Sequence, residues 1–309
     1  MQNIILTIAI LVLTNISIFS QTNEVGEKYI YEFRDGTTII GTFIKDEAGN
    51  IWIKELDGKE TYLPRVMVAQ IHKVTDNNLK DGEYWFPNLH DSRYFFSPSA
   101  FGLEEGEGYF GHSYWMLWQA QYGVSDNFSI GAGTTPFGFP ASLNAKFSMN
   151  ISTDISYALG WFWVGDLFGT TGGEMGSLLN MPYAVITKGS KENNITLGAA
   201  YNFATPFGEG ANGYYRNRVV LNTGGTYRLG RRFSFVFEAW ILNSSDDKNN
   251  TEIHLMGGPG IRYFRKINRV SARNGAGAKT WDFQLMHFPG MGEDGGPQFF
   301  PMFGASQKF

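Results

Sequence analysis

The residues best suited to chemistry in this chain are ionic, and they sit at alternate positions. Along 214–229, Arg216, Arg218 and Arg228 share one side with Asn222 and Thr226, while Val219, Leu221, Tyr227 and Leu229 share the other. The same alternation puts Lys146, Arg232, Glu238, Glu252, His254, Arg262 and Asp282 on the polar sides of their own segments. Bases outnumber acids in this set, and a concave surface ringed by Arg and Lys favours anions. Pairing is the alternative: Glu238 with Arg218, or Glu252 with Arg262, would neutralise the interior and fill it with side chains.

Covalent chemistry has less to work with. The histidines are His72, His90, His112, His254 and His287. His112 beside Ser113, and Glu252 close to His254, are the raw material of acyl transfer. No motif surrounds them, and "HLMGGPG" after His254 reads as a close-packed glycine strand. Asp246-Asp247 and Glu293-Asp294 read as solvated loop tips, and "GTTGGEMG" lacks the Lys-Ser/Thr ending of a phosphate loop. Cysteine is absent, which excludes disulfides, thiolate catalysis, Cys-ligated zinc and lipid attachment at an N-terminal Cys. No catalytic, cofactor-binding or metal-binding residue is assigned.

The elements that must position these charges are strands. "LNAKFSMNISTDISYALGWFWVG" (143–165) separates Leu143, Ala145, Phe147, Met149 and Ile151 from Asn144, Lys146, Ser148 and Asn150. After Ser152-Thr153-Asp154 the alternation resumes, with Ile155, Tyr157, Leu159, Trp161 and Trp163 on one side. Period two means strand. Charged residues at 17%, aromatics at 16% and 38 glycines suit strands that are apolar on one face only. No apolar run of roughly 20 residues follows the N-terminus, so a helical membrane bundle is excluded. A net charge of -4 gives no basic footprint for nucleic acid.

Residues 1–20, "MQNIILTIAILVLTNISIFS", read as a signal peptide, with an apolar stretch from Ile4 to Leu13 and Ser20 before the cleavage site. The n-region departs from the usual pattern in having neither Lys nor Arg, and an uncleaved anchor is the other reading. Within 21–74 the pieces "KYIYEF", "TTIIGTFI", "NIWIKEL", "ETYLP" and "VMVAQIHKV" form a small β-meander, with hairpin signals at Asp35-Gly36 and Asp57-Gly58. "DGTTIIGTFI" resembles the opening of Sm-like small barrels, and the length suits an Sm-like or SH3-like module. Sm-like modules bind RNA; behind a signal peptide the expected role is docking of a periplasmic partner. Residues 75–92 read as a linker whose aromatics, Tyr84, Trp85 and Phe86, would seal the barrel base, plug the barrel or sit at the membrane interface.

From 93 to 309 the alternation predicts twelve strands: 93–101, 109–122, 127–135, 141–151, 154–164, 180–188, 193–204, 214–229, 231–243, 251–265, 279–288 and 298–309. Most are long enough for a tilted strand to cross a bilayer. Short turns ("GVSDN", "STD", "GSKEN", "LGRR") alternate with longer loops, as in outer-membrane barrels, although 266–279 is long where a short turn is due. The C-terminus, "FFPMFGASQKF", resembles that of the Gram-negative outer-membrane β-barrel (porin-like) proteins. In that family a terminal aromatic closes the last strand, with apolar residues at alternate positions before it. Phe309, Ala305 and Phe303 match that insertion signal, and Gln307 departs from it. The resemblance implies outer-membrane lipids and the insertion machinery as partners.

The expected fold is therefore all-β: a transmembrane antiparallel β-barrel of about twelve strands in the cell outer membrane, preceded by a small periplasmic module. Leu143, Phe147 and Met149 would face acyl chains, and Trp118, Tyr122, Tyr157, Trp161 and Trp163 would form aromatic girdles. Three functions stay open. The first is a porin-like channel for small solutes with a basic-leaning lumen. The others are a plugged structural or docking barrel, and an enzyme acting on lipid or peptide.

Overall fold

The computed structural model describes residues 23–35, 37–74, 79–80, 82–167, 177–203, 218–245, 251–265, 277–288 and 298–309. The signal-peptide segment 1–20, Gly36, Arg216, most of the 266–279 connection and the acidic loop tips lie outside the described residues.

The chain divides into two units. In the first, strands β1 (Lys28–Phe33), β2 (Thr38–Glu47), β3 (Asn50–Glu55), β4 (Glu60–Pro64) and β5 (Val68–Lys73) form one antiparallel sheet in the order β4-β3-β2-β1-β5. Alternate residues turn Tyr29, Tyr31, Phe43, Ile51, Ile53 and Leu63 into one buried cluster. Burial of each such side chain contributes about 1.5–3 kcal/mol before the entropy of ordering the chain.

The second unit is a closed barrel. After a short hairpin of β6 (Leu79–Lys80) and β7 (Glu83–Tyr84), the barrel strands are β8 (Gly108–Ser113), β9 (Leu117–Ser125), β10 (Phe128–Thr134), β11 (Ala141–Asn150), β12 (Ile155–Gly165) and β13 (Ser177–Gly189). They continue as β14 (Asn193–Asn202), β15 (Arg218–Arg228), β16 (Phe233–Ser245), β17 (Thr251–Arg265), β18 (Lys279–Phe288) and β19 (Gln298–Lys308). Every strand pairs antiparallel with its sequence neighbours, and β19 pairs with β8 to close the ring. At that seam the Gly108 N–H donates to the Phe309 carbonyl (3.0 Å) and the Phe309 N–H to the Gly108 carbonyl (2.8 Å). Closure leaves no unpaired edge, which a sheet in lipid requires.

Twelve strands are present, but not the twelve expected. Residues 93–101 carry only an isolated bridge, Arg93 to Pro98, and form no barrel strand. The expected strand 109–122 is instead two, turning at 114–116, where Tyr114 and Trp115 take positive φ (52° and 61°). Alternation misled both times. Residues 93–101 are an irregular chain whose backbone bonds to side chains, and 109–122 hides a turn made without Gly or Pro. Within β17 the ladder to β18 runs from Gly257–His287 to Gly260–Gln284 without pairs between, where Pro259 has no N–H to give.

Outward side chains form an apolar belt. Leu197 is 59% exposed while its neighbour Thr196 is fully buried, and the contrast repeats along β10 to β19. Phe128, Ile130, Phe147, Leu159, Trp161, Ile195, Phe233, Phe283 and Phe299 all stand outward and exposed. Packing between strands cannot account for so much uncovered apolar surface, but a lipid surround does.

Candidate functional site

The lumen is occupied by the protein itself. Call the end where β8 begins and β19 stops the terminal end, and the opposite one the loop end. Residues 85–107 enter at the terminal end, rise to a bend at Phe95–Ser97 and return to start β8. Such a path has no sheet to satisfy its backbone, so the lumen wall must.

The wall does so with charge. The Glu238 carboxylate, buried on β16, accepts from three backbone N–H groups at the bend: Phe95 (3.2 Å), Phe96 (2.9 Å) and Ser97 (2.8 Å). On β11, the Lys146 ammonium donates to the carbonyls of Ser92 (2.9 Å), Ser99 (3.2 Å) and Phe101 (2.7 Å). Arg262 on β17 donates to Asp282 on β18 (2.8 and 3.1 Å) and to the carbonyls of His90 (2.8 Å) and Tyr94 (2.5 Å). Arg93, within the segment, donates to Ser306 and to the carbonyl of Phe95 (2.9 Å). Hydrogen bonds to charged groups contribute about 1.5–3 kcal/mol each, so these anchors dominate the docking.

Neutral contacts complete the seat. The Tyr94 hydroxyl lies 2.7 Å from Asn194 and 2.6 Å from Thr196, and Asn222 donates to Ser97 (2.7 Å). Gly224 and Gly260 face the bend because a Cβ there would fall 2.4 Å from the Tyr94 ring and 2.6 Å from the Phe95 ring. At the terminal end Phe86 packs edge-on against Phe264 (5.5 Å), with the Arg228 guanidinium over both rings. Beside the bend, between Arg93, Phe95, Phe96, Gln284 and Ser306, about 20 Å³ stays free. That holds roughly one water.

Ion pairs ring the entry. Arg228 meets Glu192 (3.0 Å), Lys308 meets Glu107 (2.9 Å) and Lys191 meets Asp91 (3.2 Å). The Asp91 charge raises the Lys191 ammonium above its ordinary range. His90 is held well below its ordinary value, first by burial and then by Arg262 and Arg93. The imidazole is therefore neutral in this setting, with Nε2 3.1 Å from the Ala278 carbonyl.

Of the charges expected to line the lumen, Lys146, Arg228, Glu238, Arg262 and Asp282 are buried; Lys146, Glu238 and Arg262 bond the re-entrant segment, Asp282 holds Arg262, and Arg228 lies over Phe86 at the entry. His254 is half-buried on β17. Arg232 is exposed in the turn before β16, its guanidinium 3.2 Å from the Tyr263 hydroxyl. The side chains of Arg216, Arg218 and Glu252 lie outside the described residues. The expected pairs Glu238 with Arg218 and Glu252 with Arg262 therefore lie outside the described residues; among these, Glu238 accepts from backbone N–H groups and Arg262 donates to Asp282. Adjacent strand residues point to opposite faces, which separates His112 from Ser113. His112 stacks on Trp115 at 4.2 Å, and Ser113 pairs in register with Gly304. Phe303 and Phe309 of the terminal signal lie outward beside Ala305 and Gln307 on β19 and its end. Sequence reasoning missed Arg93 and Tyr94, which fell inside an assumed strand; Asn222 was placed inward by alternation, but without its partner Ser97.

Above the bend the lumen changes character. Among the inward residues of β12 to β16 there, Phe162, Leu179, Met181, Val220, Trp240 and Leu242 pack together with Tyr183, while Asn202 on β14 and His254 on β17, in register with Leu242, are polar. On the far wall Phe288 and Phe300 meet edge-on at 5.8 Å.

A closed antiparallel barrel with an apolar belt outside and a hydrogen-bonded polar interior is an outer-membrane β-barrel protein. No protein-family profile and no curated protein matches the chain. Among solved structures it is similar to a KdgM porin (9% identity, 66% of this chain and 98% of that one, TM-score 0.41). It is also similar to a NanC porin (10%, 66% and 98%, 0.42) and to Pseudomonas aeruginosa OprD (11%, 92% and 93%, 0.38).

Proposed function

We propose that the barrel is a porin-like channel for small solutes held shut by its own residues 88–103, which must leave the lumen before anything passes. One observation carries this: the segment is bonded to β11, β14, β15, β16, β17 and β19 at the height of the bend. Its anchors are polar, so water can replace them on release, and the net cost per neutral bond is about 0.5–1.5 kcal/mol. In the same reading the apolar belt meets outer-membrane lipids, the Phe303–Ala305–Phe309 edge is read by the insertion machinery, and the 28–73 sheet engages a periplasmic partner. The opened lumen would bare Lys146 and Glu238 while Arg262 keeps Asp282 and Arg228 keeps Glu192, and with Arg216 and Arg218 counted inward it leans basic, which favours anions.

A second reading is a permanently plugged docking barrel. It is favoured by Lys146, whose buried charge has only the segment's carbonyls for partners among the described residues. Conductance in a planar bilayer decides. The full-length protein should be closed at rest, and a variant with 93–101 replaced by a Gly-Ser linker of equal length should conduct steadily with an anion-favouring reversal potential. Steady conductance by the full-length protein would remove the plug from the account. Silence from both, with insertion proven, would leave the docking barrel.

A further inference from the structure

We infer that the barrel is open sideways to the bilayer above β8 to β10, and that acyl chains of the surrounding lipid fill the opening down to the tip of the re-entrant segment. The inference goes beyond the transport reading and holds whether or not the segment leaves. Tight turns and the β8–β19 seam bring the strands level at the terminal end, so strand length reads as wall height. β8, β9 and β10 have 6, 9 and 7 residues, against 13, 13 and 15 in β13, β16 and β17. A tilted strand crosses a bilayer in about 9–11 residues, so the wall is low on this side. Ring closure extends as high as β8 does, since β19 pairs with it only from 304 to 308. Higher up, one side of 298–301 has no strand beside it among the described residues. The carbonyls of Phe309 and Phe303 both point to that side, so by alternation the backbone of Pro301 does too, and it has no N–H to leave unpaired there.

The chemistry of the low rim fits lipid. Its turns, 114–116 and 135–140, read Tyr-Trp-Met and Thr-Pro-Phe-Gly-Phe-Pro, without a charge. Every other loop-end connection carries charge in its sequence, Asp166, Glu209, Asp246 and Glu293 among them. Trp115 is 69% and Phe137 77% exposed. A turn in water favours Gly, Asn, Asp or Ser, whereas one in hydrocarbon must satisfy its backbone within the protein. The rim finds such partners. The Tyr114 N–H donates to the Phe303 carbonyl (2.9 Å), the Met116 N–H to that of Ser113 (3.1 Å) and the Gly138 N–H to that of Thr135 (3.0 Å). The Thr135 hydroxyl donates to the Phe139 carbonyl (2.6 Å). Rim and bend stand at one height, because Phe96, His112, Gln119 and Met302 border the same small space. Lipid that covers the rim therefore reaches Phe96.

The chain has no cysteine, so a nitroxide label can be placed at single sites: Trp115→Cys, Phe137→Cys and Phe96→Cys, each in the full-length protein refolded in phosphatidylcholine vesicles. Phe96 meets Glu238 through its backbone N–H, which the substitution keeps. Leu197→Cys in the apolar belt gives the lipid reference, and Ser152→Cys in a polar terminal-end turn gives the water reference. The readout is the ratio of collisions with oxygen, which dissolves in lipid, to collisions with a nickel chelate, which does not. At all three sites it should match Leu197→Cys and exceed Ser152→Cys about tenfold. If Trp115→Cys loses its heat-dependent gel shift, Met116→Cys serves instead. Rim labels that follow Ser152→Cys would put the low turns in water and overturn the inference. So would rim labels in lipid with the Phe96 label in water, which would mean that the chain's own loops close the opening. Neither result depends on conductance, so this inference and the transport reading fail separately.

Discussion

The two halves of the lumen differ in what they are asked to satisfy. The terminal-end half surrounds an irregular backbone with no ladder of its own, and its wall offers Lys146, Glu238, Arg262, Asn222 and Thr196 to that backbone and its side chains. The loop-end half has no backbone to satisfy among the described residues, and its wall carries a packed apolar cluster of Phe162, Leu179, Met181, Val220, Trp240 and Leu242 beside the polar Asn202 and His254. Charge inside this barrel therefore marks where the chain folds into itself. An Arg-rich inward face is not by itself an ion path.

That contrast can be broken from below. Arg262→Ala should have the largest effect, about 3–5 kcal/mol, because it strands buried Asp282 along with the carbonyls of His90 and Tyr94. The unfolding midpoint in urea, followed by gel mobility, would read it. Arg262→Met with Asp282→Leu should recover part of that loss, and a cost below about 1 kcal/mol would show the pair to be ornamental. Gly224→Val comes next. Its side chain would meet the Tyr94 ring and should expel the segment while the barrel stays closed, at about 1–3 kcal/mol. Protease cleavage within 93–101 should appear in Gly224→Val and not in Gly230→Ala, where a Cβ meets nothing within 4 Å.

The sequence made the barrel legible because lipid imposes a strict period. Leu197 and Thr196 must face opposite solvents, so alternation alone placed β10 to β19. The occupied lumen was harder to read. Inward parity set Lys146, Glu238 and Arg262 on the polar sides of their strands but could not give their partners, because Glu238 binds backbone N–H groups that any sequence carries. Residues 93–101 alternate by accident, and counting them as a strand made up for the turn at Tyr114–Met116, so the total came out right from two offsetting misreadings. Polar side chains next to loop-end apolar ones did not announce two compartments, because height along the barrel follows from strand register, which single strands do not reveal.

A smaller effect should come from pH. His90 is docked with a pKa well below 6.5, facing Arg262, Arg93 and Lys308. Its contribution to docking is full above pH 6.5 and is lost as pH falls, since the released segment takes up a proton that the docked one refuses. Below that value docking should weaken by up to about 1.4 kcal/mol per pH unit. Opening events in the bilayer should become more frequent between about pH 7.5 and about pH 5.5, and His90→Asn should flatten the trend. A pH dependence that survives in His90→Asn would place the sensor elsewhere.

The smallest effect sharpens the comparison from above. Phe300→Ala removes a large ring from the loop-end wall, where it meets Phe288 and is 38% exposed. If the halves are independent, segment release should move by less than about 0.5 kcal/mol, because no bond of the seat involves Phe300 among the described residues. Protection of 93–101 from protease and the resting conductance should both match the unaltered protein. A Phe300→Ala variant that frees the segment as readily as Gly224→Val would mean that the apolar wall presses the bend into place. The loop-end wall would then be the upper part of the seat.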